Sequence, residues 1–598
     1  MGRTAWSDVT RSLVEVATGR APADMVIRNG RWVCVQTGEI LPGTDVAIRG
    51  ERIAFVGAEA GHTIGPSTRL IDAADRYLVP GLLDGHMHVE SGMLTVTEFV
   101  RAVLPHGTTG MFIDPHEIAN VLGLGGVRMM VDEAAAQPVH VWVQVPSCVP
   151  PAPGLETPGA LIGPAEVAEA LTWPGVIGLG EVMNFRGVVA GDRQMHDEMA
   201  EARRAHKVIG GHYASPDLGP AFHAYVAGGP QDDHEGTRLE DAVARARQGM
   251  KVMLRQGSAW HDVAAQVAAV TEQGIDPRHF LLVTDDCHSG TLVHEGHVDR
   301  VVREAIRCGL PPMTAIQMAT LNTAEHFGVA EDVGQIAPGR FADILVTADL
   351  TTLKPDLVFA RGALAVEQGR LRLETVPFSY PARARASVRL ARPLTAADFG
   401  LRAAEPGPVQ ANVIGVIENQ APTRHLRLTL PVEAGQVRAD PARDLAKAAL
   451  VERHHGSGRV QVGLVQGFGL RGRCAFASTV AHDTHHLIVV GTDEGCMARA
   501  GNELARVGGG QVVVRDDEVL ALLELPLAGL MSDAPAEVVA ARAEAILAAL
   551  RACGCHMNNG NMQLSLLALV VIPELRLSDL GLVDVTRFAL IPVLEPAA

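Results

Sequence analysis

The sequence predicts an α/β protein: a central (β/α)8 barrel, a small β-sandwich domain assembled from both flanks of that barrel, and a C-terminal mixed α/β unit. Three observations lead there. Between about Leu78 and Gly328, eight short apolar runs alternate with amphipathic stretches. The same β texture appears on either side of that region, and a different mixture of strands and helices follows it.

The eight runs are 78–89, 109–114, 140–146, 176–182, 207–212, 229–234, 251–255 and 280–285. Helical patterns such as TVTEFVRAVL, QMHDEMAEARRAH and TRLEDAVARARQG separate them. Such alternation over about 250 residues is what a parallel barrel requires, with a doubly wound open sheet as the alternative. The sixth run, GGPQDDHE, is the weakest because little in it is apolar. Residues 24–57 read as strands broken by Asn-Gly and Arg-Gly turns, and 342–370 repeat the pattern. Two β pieces so far apart can join into one small domain. From near Thr395 the chain mixes strands (RVQVGLVQ, HLIVVG) with helices (PAEVVAARAEAILAALRACG). The expected division is 1–75 and 331–390 for the β domain, 76–330 for the barrel and 391–598 for the last unit.

Composition narrows the function classes. A chain of 598 residues needs several cores, and 47% hydrophobic residues with a mean hydropathy of +0.15 supply them. The net charge of −17, without clustered Lys and Arg, argues against a nucleic-acid partner. The eight cysteines are scattered, which is no secreted disulfide framework, and Cys553-Gly-Cys555-His556 has no second ligand pair at zinc spacing. Residues 1–20 carry acids and lack the apolar core of a signal peptide, and the run 564–572 is too short to span a bilayer. The expectation is a soluble, cytoplasmic protein away from the membrane.

The chemistry lies at the ends of the runs. The first closes in PGLLDGHMHVE, and residues two apart on a strand face the same side, so His86 and His88 project together. His-x-His alone is a weak signal. The fourth run ends with Glu181, the fifth with His212, the sixth with His234 and the eighth with Asp285. Barrel active sites lie at the C-terminal ends of the strands, so four imidazoles and two carboxylates converge on one rim. That set can hold two divalent ions with Glu181 between them, and its donors suit Mn(II), Fe(II) or Zn(II). It contains no thiolate, unlike most structural zinc sites.

The segment VPGLLDGHMHVESGML resembles the first metal motif of the amidohydrolase superfamily. VLPHGTTGMFIDPHEIANVLG, GLGEVMNFRGVV, DDHEGTRLEDA and TDD resemble the bacterial adenine deaminases within it. The likeness continues through GQIAPGRFADILV, VAHDTHHLIVVG, LPLAGLMSD and LSLLALVVIPELRLSDLGLVDV, nearly the whole chain. The resemblance implies a metal-dependent hydrolase barrel that deaminates a free purine in salvage or catabolism. Many relatives with two metals bridge them by a carboxylated lysine at the end of strand four. No lysine lies there, and the resemblance gives that place to Glu181. The sequence departs from the family at Arg186, where proline is usual, at Tyr213-Ala214, where Ala-Pro is usual, and at Gly236, where cysteine is usual. These positions adjoin the ligands, which puts Arg186 and Tyr213 among the expected contacts to the base.

The resemblance implies a mechanism. Hydroxide on metals held by His86, His88, Glu181, His212, His234 and Asp285 attacks C6 of adenine, with Mn(II) or Fe(II) favoured. Asp285 takes up a proton and delivers one to departing ammonia, and Glu235 is the candidate acid for a ring nitrogen, its alternative being a salt bridge. Glu90 and Ser91, after the His-x-His motif, are candidate contacts to base or ligands. His116 and Glu117 are candidates to bind substrate or a further metal. Asp114-Pro115-His116-Glu117 also reads as a helix-capping box, the preferred role for Asp114. His482, Asp483, His485 and His486 either close over the site, bind metal, or form a surface turn. The competing functions are hydrolysis of a cyclic amide or another aminopurine, and a non-catalytic interaction protein. The partner expected is a small purine, and the expected assembly a homo-oligomer.

Overall fold

The computed structural model describes residues 5–404 and 406–596, so Met1–Thr4 of the N-terminal stretch lie outside the described residues. A helix, Trp6–Ala17, opens the described chain and buries Leu13 and Val16. It packs on a nine-stranded sheet to which both flanks of the barrel contribute. Met25–Cys34 pairs with Glu39–Arg49, and Tyr77–Pro80 from the first flank pairs antiparallel with Ile344–Thr347 from the second. Period-two alternation sends Val26 and Ala47 toward the helix. Met25, Ile27, Val46 and Ile48 join Ile344, Val346 and Phe359 in a second cluster.

The barrel strands are β1 (Leu82–His88), β2 (Thr108–Ile113), β3 (His140–Val145), β4 (Val176–Val182), β5 (Val208–Gly211), β6 (Asp232–Asp233), β7 (Lys251–Arg255) and β8 (Phe280–Val283). Strands β1 to β5 pair parallel in order, and β6 to β8 form a second parallel set. Contacts on both sides join the sets. The Gln231 amide donates to the Ile209 carbonyl at 2.9 Å, and Asp285–Asp286 pairs parallel with Met87–His88. The weak sixth run is a strand of only two residues. Its polar side chains are satisfied by neighbours: Asp232 accepts from the Gly211 amide and Asp233 from Arg245 Nε.

Stacked rings plug the barrel floor, with Phe112 4.6 Å from Trp142 and 3.9 Å from Phe327. Leu83, Met253, Leu281 and Val283 fill in around them. A register shift between Asp84 and Met87 divides β1. Below it Asp84 turns outward to Thr284 and His297, and above it His86 and His88 face the mouth.

The C-terminal unit is built on a second nine-stranded sheet, mostly antiparallel. Glu494–Val507 and Ala536–Ala552 are its long helices. It sits against the mouth of the barrel. The Ser532 amide donates to the Met93 carbonyl at 2.9 Å, the Thr157 amide donates to Asp579, and Arg186 Nη1 donates to the Val585 carbonyl. All eight cysteines are free thiols, and seven, Cys553 and Cys555 included, are buried. Among the described residues, no helix is long and apolar enough to cross a membrane.

Candidate active site

The six rim residues named from the sequence meet in space. Glu181 is the hub. One carboxylate oxygen lies 3.7 Å from His88 Nε2 and 3.2 Å from His116 Nδ1; the other lies 2.5 Å from His212 Nδ1 and 3.2 Å from His234 Nε2. Asp285 Oδ1 lies 3.3 Å from His88 Nε2 and 3.7 Å from His86 Nε2. His86 stacks on His234 with ring centroids 4.0 Å apart.

Surrounding bonds fix these orientations. His88 Nδ1 donates to the Asp114 carbonyl at 2.8 Å, which leaves the Nε2 lone pair facing the centre. The Glu181 amide donates to Asp114 Oδ2 at 2.8 Å, and a Cβ at position 180 would run into that carboxylate, so glycine precedes Glu181. The helix after Asp114 starts at His116 and has no side-chain cap. The capping role expected for Asp114 is therefore corrected: its carboxylate holds the backbone of β4. Asp285 has φ of +60°, a left-handed conformation an aspartate tolerates at a cost of about 1 kcal/mol. It turns the chain between β8 and the Asp285–Asp286 pairing.

A cavity opens over this cluster. His88, Glu181, His212, His234 and Asp285 form its base, and His116, Glu117 and Glu235 its sides. His86 lies behind His234. Glu235 pairs with Arg255 Nη1, which also reaches Asp285 Oδ2 at 3.0 Å, while Arg255 Nε bonds Asp262 at 2.7 Å. Burial favours the neutral form of Glu235, but Arg255, His212 and His234 together outweigh it and hold the carboxyl below its ordinary range. The salt-bridge alternative for Glu235 is present in a residue that still lines the cavity.

Four expected contacts fall elsewhere. Arg186 points to the Val585 carbonyl and Phe588, away from the cavity. Tyr213 is buried among Phe222 and Tyr225 and donates its hydroxyl to the Asp217 carbonyl. Both sit next to the rim in sequence, but the chain turns outward after each strand. Glu90 stands behind Glu117, accepting from the Ile118 amide, and burial beside Glu117 pushes its carboxyl up to about 7. Ser91 bonds Glu117 and Asp286 without lining the cavity. Gly236 likewise stays outside, its carbonyl accepting from Gln266 Nε2.

Arg255, Asp286, Trp260 and Met183 also line the cavity. Arg255 had a readable signal, being the last residue of the seventh run on the same rim. The C-terminal unit supplies Ala421, His482, Asp483, Leu566, Leu569 and Ile572. The polar segment 482–486 is therefore no surface turn. It is buried, and part of it faces the cavity.

The donor set fits divalent metal. His86 Nε2, His212 Nε2 and His234 Nδ1 are buried with no hydrogen-bond partner. Buried imidazole nitrogens carry such a penalty where an electron-pair acceptor belongs. His86–His88–Glu181, His86–His234–Asp285 and Glu181–His212–His234 each offer ligand atoms within 4.8 Å of one another.

Such a rim on a closed parallel barrel defines a metal-dependent hydrolase, and residues 77–368 match the amidohydrolase family. Residues 420–589 match the adenine deaminase C-terminal domain. An adenine deaminase of Rhizobium meliloti is 62% identical, with 98% of each chain covered. One of Ruegeria pomeroyi is 60% identical over 99% of each, and one of Moorella thermoacetica 52% identical over 99% of each. The chain belongs to the adenine deaminase group of the amidohydrolase family.

Proposed function

We propose that this chain hydrolyses adenine to hypoxanthine and ammonia. The observation that carries the reading is the meeting of His86, His88, Glu181, His212, His234 and Asp285 at a cavity, in a chain similar to adenine deaminases along its whole length. In this reading residues 76–330 form the catalytic barrel and 391–598 cover it.

His86, His88, Glu181, His212, His234 and Asp285 would hold two divalent ions, because Glu181 belongs to ligand groups on both sides of the cluster. Mn(II) and Fe(II) suit this imidazole and carboxylate set, and Zn(II) also fits. When bound, such an ion lowers the pKa of a coordinated water to about 7.

The protein's own groups manage the protons. Hydrolysis places one proton of water on N1 of hypoxanthine and the other on ammonia. Asp285 stands at the cluster and carries the proton destined for the amino group. Glu235, ionised beside Arg255, accepts the other proton before giving it to N1. Arg255 touches both carboxylates and so balances charge as the protons pass. Trp260, Met183, Leu566, Leu569 and Ile572 exclude bulk water and cover a flat heterocycle.

The test is turnover of adenine by Mn(II)-loaded protein, followed by ultraviolet absorbance and ammonia release. Equal yields of hypoxanthine and ammonia support the reading. Ring opening of a cyclic amide without adenine turnover favours the alternative hydrolase, and neither activity in a metal-loaded protein favours a non-catalytic role.

A further inference from the structure

We propose that Asp483, from the C-terminal unit, selects the free base by accepting the N–H of adenine's five-membered ring. The proposal rests on the adenine reading above and adds to it a determinant of substrate form.

Asp483 is 2% exposed and lines the cavity. The backbone around it is tightly held. The His485 amide donates to the Ala481 carbonyl at 2.8 Å, the Ala481 amide donates to His485 Nδ1 at 3.1 Å, and His454 Nε2 bonds the Thr484 carbonyl at 2.6 Å. Oδ1 of Asp483 faces His482 Nδ1 at 3.3 Å and His116 Nε2 at 3.7 Å. Oδ2 is buried and has no hydrogen-bond partner. A buried acceptor left without a donor is costly, so such an atom in a cavity wall marks where a ligand's donor belongs.

Four of the other carboxylates of the cavity are engaged. Glu181 and Asp285 belong to the cluster, Glu235 pairs with Arg255, and Asp286 accepts from Ser91. Glu117 shares the one Ser91 hydroxyl proton with Asp286, at 3.3 Å, and its Oε2 has no hydrogen-bond partner but faces His485 Nε2 at 3.9 Å. His485 accepts a backbone N–H at Nδ1, so its Nε2 carries a proton on the side facing Glu117, too far for a hydrogen bond but a favourable neighbour that Asp483 Oδ2 lacks.

Placement agrees with the purine's shape. The His116 ring reaches from Glu181 at one nitrogen to Asp483 at the other, so Asp483 stands one imidazole beyond the cluster. With C6 over the cluster and N1 toward Glu235, the five-membered ring points away from the metals. Its N–H is the donor adenine offers besides its amino group. A nucleoside lacks that N–H and would press a sugar against a buried carboxylate and the Leu566, Leu569 and Ile572 wall. A site built around a substrate N–H rejects analogues without it far better than an apolar pocket can.

The experiment compares adenine with 9-methyladenine for the metal-loaded wild-type chain, Asp483→Ala and Asp483→Asn, with metal content and circular dichroism measured on each. Wild type should strongly prefer adenine. In Asp483→Ala the KM for adenine should rise about 10- to 100-fold with kcat changed far less, and the preference over 9-methyladenine should shrink by a similar factor. Should the alanine variant fail to fold, Asp483→Asn keeps the volume and should move both readouts the same way by less. A folded, metal-loaded variant with unchanged KM and preference overturns the assignment and leaves the adenine reading standing. So does a wild-type chain that uses both purines equally well. A wild-type chain inert toward adenine overturns the adenine reading and this assignment with it.

Discussion

Nε2 of His88, on the first strand of the barrel, lies 3.3 Å from Oδ1 of Asp285, just beyond the last. The contact sits where the barrel closes, so one carboxylate serves the fold and the proposed chemistry. Asp285→Asn keeps the shape and removes the proton carrier. We expect kcat to fall by about 10²- to 10⁴-fold in stopped-flow or steady-state assays, with the fold intact by circular dichroism. Activity within a few-fold of wild type would remove Asp285 from the mechanism.

Arg255 is a buried cation facing Glu235, Asp262 and Asp285. Arg255→Met leaves three carboxylates without their shared partner. Removing one side of a buried ion pair costs about 3–5 kcal/mol, so the midpoint of denaturant unfolding should drop clearly, and kcat/KM with it. An unchanged midpoint would mean that solvent already screens these charges.

Metal should stabilise the fold as well as serve the reaction. A chelator should lower Tm, and added Mn(II) should restore it, because binding to the native cluster shifts the unfolding equilibrium. Elemental analysis of Glu181→Gln should show less metal per chain than wild type, since Glu181 lies within 3.7 Å of His88, His116, His212 and His234.

Glu198 supplies a pH test far from the site. It is buried on the helix Arg193–Arg204, and burial, with Asp192 and Glu166 nearby, pushes its carboxyl up to about 8. In the unfolded chain it ionises near its ordinary value, about 4.3. Between those values the folded state holds the extra proton, so this group makes stability fall as pH rises from about 4.5 to 8. Glu198→Gln should match wild type near pH 4 and exceed it near pH 9 by on the order of a few kcal/mol in urea titrations. A constant difference across that range would contradict the assignment.

Arg186→Ala should leave kcat/KM for adenine within about threefold, since a side chain outside the cavity has little to offer the transition state. A large loss in kcat/KM would show that the C-terminal contact at Val585 shapes the site.

The cluster was legible because its members close successive strand runs, all but the sixth of them apolar. Period two placed His86 and His88 on one face, and strand ends did the same for Glu181, His212, His234 and Asp285. Asp114 was misread because its local pattern is a good helix start, whereas its partner, the Glu181 amide, lies 67 residues away. Arg186 and Tyr213 show that nearness in sequence to a ligand does not give direction once the strand ends. Leu566, Leu569 and Ile572 reach the cavity by docking of the C-terminal unit, which no local periodicity encodes.

The most direct test of the account is product analysis with Mn(II)-loaded protein and adenine, in parallel with Asp285→Asn. The account predicts hypoxanthine and ammonia in equal amounts from wild type and almost none from the variant. A wild-type chain that carries its metal and leaves adenine untouched would contradict it.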